Sequence, residues 1–139
     1  MGTSFQEKSV RIQLVGMVLG LGTYFVLAGR MLTSGAREMP AFAVLFMVAT
    51  VLMVILLVAG HIVAAIAGKP EGRDERDRLI SWRAEHSSSW VVTAGDFGSV
   101  ACMVFGIENV RTANLLLLSL AVSEMARLVL RLASYRRGV

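Results

Sequence analysis

Residues 39–68 read MPAFAVLFMVATVLMVILLVAGHIVAAIAG, thirty positions without an Asp, Glu, Lys or Arg. At ~1.5 Å rise per residue such a run makes roughly 45 Å of helix, against ~30 Å for the hydrocarbon core of a bilayer. A chain of 139 residues has no interior large enough to hide an apolar rod of that length. The expectation is an integral membrane protein, with the lipid bilayer as its first partner.

Composition agrees. The chain is 55% hydrophobic and 17% charged, with a mean hydropathy of +0.66. Its length fits one domain, residues 1–139, with no separate soluble module. Cys102 is the single cysteine, so no intramolecular disulfide and no cysteine-based zinc site is expected. The pI near 10 could suggest nucleic acid. In a membrane protein basic residues chiefly set orientation, and no direct nucleic-acid binding is expected.

Working outward from 39–68, four segments are long enough to span: about 12–29, 40–67, 87–107 and 112–132. The first is too long for the apolar core of a secretory signal and lacks a clean small-residue cleavage site after it. Pro40 suits a first helical turn, where its missing N–H costs nothing. The third span is interrupted by Asp96 and the fourth carries Glu124, Arg127 and Arg131. Eleven of the fourteen basic residues fall in the N-terminal segment, the central loop and the C-terminal end; only Arg30, Arg37 and Arg111 fall in the other two loops. That asymmetry predicts an all-α, antiparallel transmembrane four-helix bundle with both termini inside. Trp82, Trp90 and Tyr135 would lie near the inner interface.

Helices in lipid associate by close backbone approach. Small residues predict seams at Gly16 and Gly20, at Gly60, Ala64 and Gly68, and at Ala94, Gly98, Cys102 and Gly106. Asn114 and Ser123 are candidate interhelical hydrogen-bonders. Four short spans bury little surface among themselves, so a homodimer is also expected.

The central loop, residues 69–86, is the most patterned polar stretch. Its five basic residues are matched by five acidic ones, which disfavours a patch for anionic lipid. Pro70 and Gly72 break the preceding helix. Asp74 can cap a new one, with Asp74/Arg78 at i,i+4 and Glu75/Arg78 at i,i+3. Leu79, Ile80, Trp82 and His86 gather toward one side. The pattern predicts a short amphipathic cytoplasmic helix before span three. Asp74, Glu75, Arg76, Asp77 and Arg78 either form a solvated, self-paired helix that fixes topology or dock a cytoplasmic partner.

The stretch Asp74-Glu75-Arg76-Asp77-Arg78-Leu79-Ile80, then Arg83-Ala84-Glu85 and a hydrophobic span, resembles a family of small uncharacterised bacterial four-helix membrane proteins. In that family an Asp-Glu-Arg motif joins spans two and three. Members are often encoded beside a small helix-turn-helix regulator, which implies a regulatory, sensing or accessory role and a cytoplasmic regulator protein as partner. The resemblance covers about fifteen residues and the four-span layout.

Ionisable residues at membrane depth face a bundle interior or water by default. His61, Asp96 and Glu124 lie on three different spans at similar depth, roughly 10–13 Å from the inner side. Arg127 stands one turn below Glu124. The expectation is a buried polar cluster of His61, Asp96, Glu124 and Arg127. It is either a satisfied network that locks helix register or a site for protons, a cation or a small ligand. The second option makes a small proton- or cation-coupled transporter the alternative function. Small multidrug-resistance exporters rely on a glutamate in the first span, however, and the first span here has no acidic residue.

No metal, cofactor or catalytic site is expected. One His and two carboxylates are a thin ligand set, and Met17, Met47, Met53 and Met103 are scattered as apolar filling. Asp96-Phe97-Gly98 spells a kinase triplet without the loops that give it meaning. Ser87, Ser88 and Ser89 have no base and no oxyanion hole; neighbouring His86 does not face them on a helix. The chain is not read as an enzyme.

Overall fold

The computed structural model describes residues 5–67 and 75–137. They form four helices: α1 (Phe5–Thr33), α2 (Met39–Ala67), α3 (Glu75–Val104) and α4 (Asn109–Arg137). No strand occurs among the described residues. Each expected segment falls within a helix except at the end of the third, where α3 stops at Val104. The chain leaves each hairpin's first helix by the same device. Gly35 (φ 90°) and Gly106 (φ 71°) adopt the left-handed backbone that L side chains resist. The Gly35 and Ala36 amides donate to Leu32 and Met31 carbonyls at 3.2 and 3.0 Å, and the Gly106 and Ile107 amides to Met103 and Cys102 carbonyls at 3.1 and 2.9 Å. Both ends are Schellman motifs, which satisfy carbonyls that a helix end leaves open.

The helices lie antiparallel in the order α2, α1, α4, α3, with α2 leaning slightly toward α4. The molecule is thus closer to a row than to a closed square, and α3 packs substantially on α4 alone. Both tight turns share one end, where Glu108 pairs with Arg37 at 3.2 Å and with Arg111 at 3.3 Å. A hydrophobic cluster of Tyr24, Ala28, Phe42, Ala49 and Val110 lies toward the same end.

The seams differ from helix to helix. In the α1–α2 seam, Gly16 and Gly20 are buried against Leu57 and Met53, and half-buried Gly60 packs against Ile12. The glycine pair of α1 therefore marks an intramolecular seam. In α3 the expected stripe is displaced. Ala94 is exposed, Gly98 has open space beside it, and Gly106 is a helix cap. The face packed on α4 is Ser88, Gly95 and Ser99, with Gly95 directly under Ser119. The expected pattern missed by one residue because the real seam mixes serines with glycine.

Two further expectations change. The segment before span three is no separate helix: α3 runs unbroken for 30 residues from Glu75. Among the described residues, the helices long and apolar enough to cross a membrane are α1 and α2. Asp96 and a run of serines dilute α3, and Glu124, Arg127 and Arg131 dilute α4. Asp74 and Gly68 lie outside the described residues.

Candidate functional site

The four residues expected in one buried cluster are distributed over the row. His61 sits at the α1–α2 seam. Its Nδ1 lies 2.7 Å from the Leu57 carbonyl and its Nε2 lies 3.0 Å from Ser9 Oγ. A carbonyl only accepts, so Nδ1 carries the proton and Nε2 accepts from the Ser9 hydroxyl. Ser9 had no distinguishing signal in the sequence beyond being polar at the start of a span.

Glu124 and Arg127 do meet, as a same-helix pair on α4. Glu124 lines an apolar cavity of about 200 Å³ between α1, α2 and α4, beside Met17, Phe25, Phe46, Thr50 and Met53. Asp96 is on the far side of the row. Its residue is exposed on the outer face of α3, and no hydrogen bond or ion pair holds its carboxylate among the described residues. The structure thus joins Glu124 to Arg127 and brings neither His61 nor Asp96 to them. A depth read from sequence does not fix the direction each helix faces.

The polar groups that couple helices are elsewhere. Tyr24 Oη donates to Asn114 Oδ1 at 2.9 Å, joining α1 to α4. Ser123 Oγ donates to the Ser88 carbonyl at 2.7 Å, joining α4 to α3. Asn114 and Ser123 are the interhelical bonders that the sequence suggested.

The charged start of α3 divides into two roles. Tyr135 Oη donates to Asp77 Oδ1 at 2.8 Å, which ties the first turns of α3 to the last turns of α4. Burial raises the Tyr135 pKa from its ordinary value, the Asp77 carboxylate raises it further, and Arg131 alongside opposes both. Arg131 itself is only 7% exposed, and its Nε has no partner. Asp77 is therefore a fastening point. Glu75, Arg76, Arg78, Leu79, Trp82, Arg83, Glu85 and His86 are exposed. Trp82 stacks on His86, with ring centroids 6.0 Å apart and planes 20° apart.

Compared with known proteins, the chain matches no family model, no curated protein and no solved structure. Among the described residues there is no group of three or more His, Cys, Asp or Glu side chains placed to hold a metal ion.

Proposed function

We propose that this is a multi-pass protein of the bacterial inner membrane with a regulatory, sensing or accessory role. Its four helices cross the membrane with both termini and the 68–74 connector in the cytoplasm. Residues 74–86 are the segment that a soluble cytoplasmic partner, such as a small regulator, recognises.

The membrane part of this reading is supported by α2. On the side away from α1 its large apolar side chains are exposed along its whole length, from Val44 at 64% through Val54 at 48% to Ile66 at 82%. Water does not tolerate a patch of that extent on a soluble monomer, whereas lipid does. The orientation is supported by the row itself. Antiparallel helices gather Lys8, Arg11, Arg76, Arg78, Arg83, Arg136 and Arg137 at the end away from the tight turns. Basic residues favour the cytoplasmic side.

The regulatory part rests on one observation: the first three turns of α3 form a fastened, outward-facing helix. Asp77 and Tyr135 hold it against α4, and it presents Arg76, Leu79 and Arg83 along one exposed flank. A rigid display of alternating charge and apolar surface costs a partner little ordering entropy on docking. Charge reversal at Arg76 and Arg83 tests this reading. A soluble protein captured from native membranes by the wild-type chain should be lost in Arg76→Glu/Arg83→Glu and kept in Glu38→Arg, on the opposite end. Equal capture by all three would defeat the proposal. The transporter alternative has weaker support, because His61, Asp96 and Glu124 share no cavity within one chain.

A further inference from the structure

We propose that a second copy of this chain docks on the outer face of α3, parallel to the first and related to it by a two-fold axis along the helices. The proposal rests on α3 crossing the membrane, and it gives the expected homodimer a specific interface. The starting observation is Asp96, exposed at mid-helix with no partner among the described residues. A carboxylate there cannot face lipid cheaply, and membrane carboxylates are found turned toward protein or water. The helix is free to receive a neighbour, since α3 packs substantially on α4 alone.

The chemistry of that face selects a second copy. With 3.6 residues per turn, Trp82, Ser89 and Val100 run along its centre. Glu85 and Asp96 lie on one flank; His86 and Thr93 lie on the other. All seven residues are exposed. A two-fold axis along parallel helices sets the first flank of one copy against the second flank of the other at the same height. His86 then meets the second copy's Glu85, about 1.5 Å away in height, and Thr93 meets the second copy's Asp96, whose Cα lies about 4.5 Å higher and whose side chain leans back toward the helix N-terminus, each pairing occurring twice. An acid is thus placed opposite a base in the water-facing half and opposite a hydroxyl donor in the membrane half. Within one chain, Thr93 Oγ1 donates to the Ser89 carbonyl at 3.1 Å, and a small rotation of the hydroxyl reaches across to a carboxylate instead. Ser89 at the centre is small enough to let the backbones approach. The flank bearing Arg76, Leu79 and Arg83 stays open for a cytoplasmic partner.

Cysteine cross-linking in native membranes tests the interface. In a Cys102→Ala background, Ser89→Cys and Val100→Cys should each form a disulfide-linked dimer, while Ala101→Cys, on an exposed flank outside the interface, should not. Adding Thr93→Val to Val100→Cys should lower the linked fraction about three- to tenfold, as expected for losing two interhelical hydrogen bonds in lipid. Adding Asp96→Asn, which keeps an accepting oxygen, should leave most of it. A chain that stays in the membrane after alkaline carbonate washing but links equally at 89, 100 and 101, or at none of them, would overturn the interface alone. Release of the chain by the same wash would overturn the membrane reading, and with it the reason to bury Asp96.

Discussion

The two hairpins are nearly equal in size, with helices of 29 and 29 residues in the first and 30 and 29 in the second. Both turn through a Schellman glycine. They differ in what fills the seam and what faces out. The α1–α2 hairpin closes on glycines against Ile12, Met53 and Leu57, and between its charged ends exposes an almost purely apolar surface. The α3–α4 hairpin closes on Gly95, Ser88, Ser99, Ser119 and Ser123, and exposes Asp96 with charged residues at one end. In lipid there is no hydrophobic force between helices, so a seam needs close contact or a hydrogen bond. The first hairpin uses contact almost alone. The second adds hydroxyls, with Ser123 donating to the Ser88 carbonyl across the seam. On the function proposed above, the first hairpin serves as the membrane anchor and the second presents the surface for a partner.

The sharpest way to break this contrast is at Gly95. A Cβ there would sit 2.0 Å from Ser119 Cβ, an atom that cannot move aside without the backbone. Gly95→Leu should part α3 from α4 and cost about 2–3 kcal/mol or more, as core overpacking does. Gly98→Leu, one turn along, has nothing within 4 Å of its Cβ position and should be near neutral. Thermal unfolding in detergent separates the two; equal losses would mean that the serine–glycine seam is misplaced.

The junction of the hairpins is the next target. Tyr24 is 1% exposed and its hydroxyl satisfies Asn114. Tyr24→Phe should cost about 1 kcal/mol, by removing one buried hydrogen bond and stranding the amide oxygen. Limited proteolysis of the 68–74 connector should quicken if the hairpins separate, and remain unchanged if seams within each hairpin hold the molecule together without this bond.

How much of this was readable beforehand depends on what each feature requires. The four helical segments and the roles of Asn114 and Ser123 follow from local patterns: apolar length, and isolated polar side chains in apolar surroundings; the break expected at Pro70 and Gly72 lies outside the described residues. The glycine seam of α1 was equally legible because Gly16 and Gly20 have few other uses in a helix. The failures concern rotation and helix order. His61, Asp96 and Glu124 are expected at one depth from their positions in sequence, yet the order α2, α1, α4, α3 sends them to different seams and faces, and no local pattern encodes that order. Asp77 looked like one more member of a charge run; only Tyr135, 58 residues away in sequence, reveals it as a fastening.

That fastening should also respond to pH. The phenol of Tyr135 is held neutral by burial and by the Asp77 carboxylate, so its pKa in the fold lies above the value in the unfolded chain. Stability from the link is then fully present below about pH 10, the ordinary tyrosine value, and is lost as pH rises through the raised one. Protease protection of the start of α3 should fall at strongly alkaline pH in the wild type. In Tyr135→Phe, the extra alkaline loss should vanish, against a baseline already lower by about 1 kcal/mol. An alkaline loss that persists in Tyr135→Phe would assign it to another group.

The smallest effect belongs to the opposite end. Glu108 bridges the two turns through Arg37 and Arg111, but its side chain is 50% exposed. Exposed pairs contribute ~0–1 kcal/mol and weaken with salt. Glu108→Gln should therefore shift stability by no more than about 0.5 kcal/mol, with the difference gone in ~1 M salt. A larger, salt-independent loss would mean that the turn ends, and not the seams between helices, hold the hairpins in register. The two hairpins would then be joined at their tips, and Tyr24 would be the lesser link.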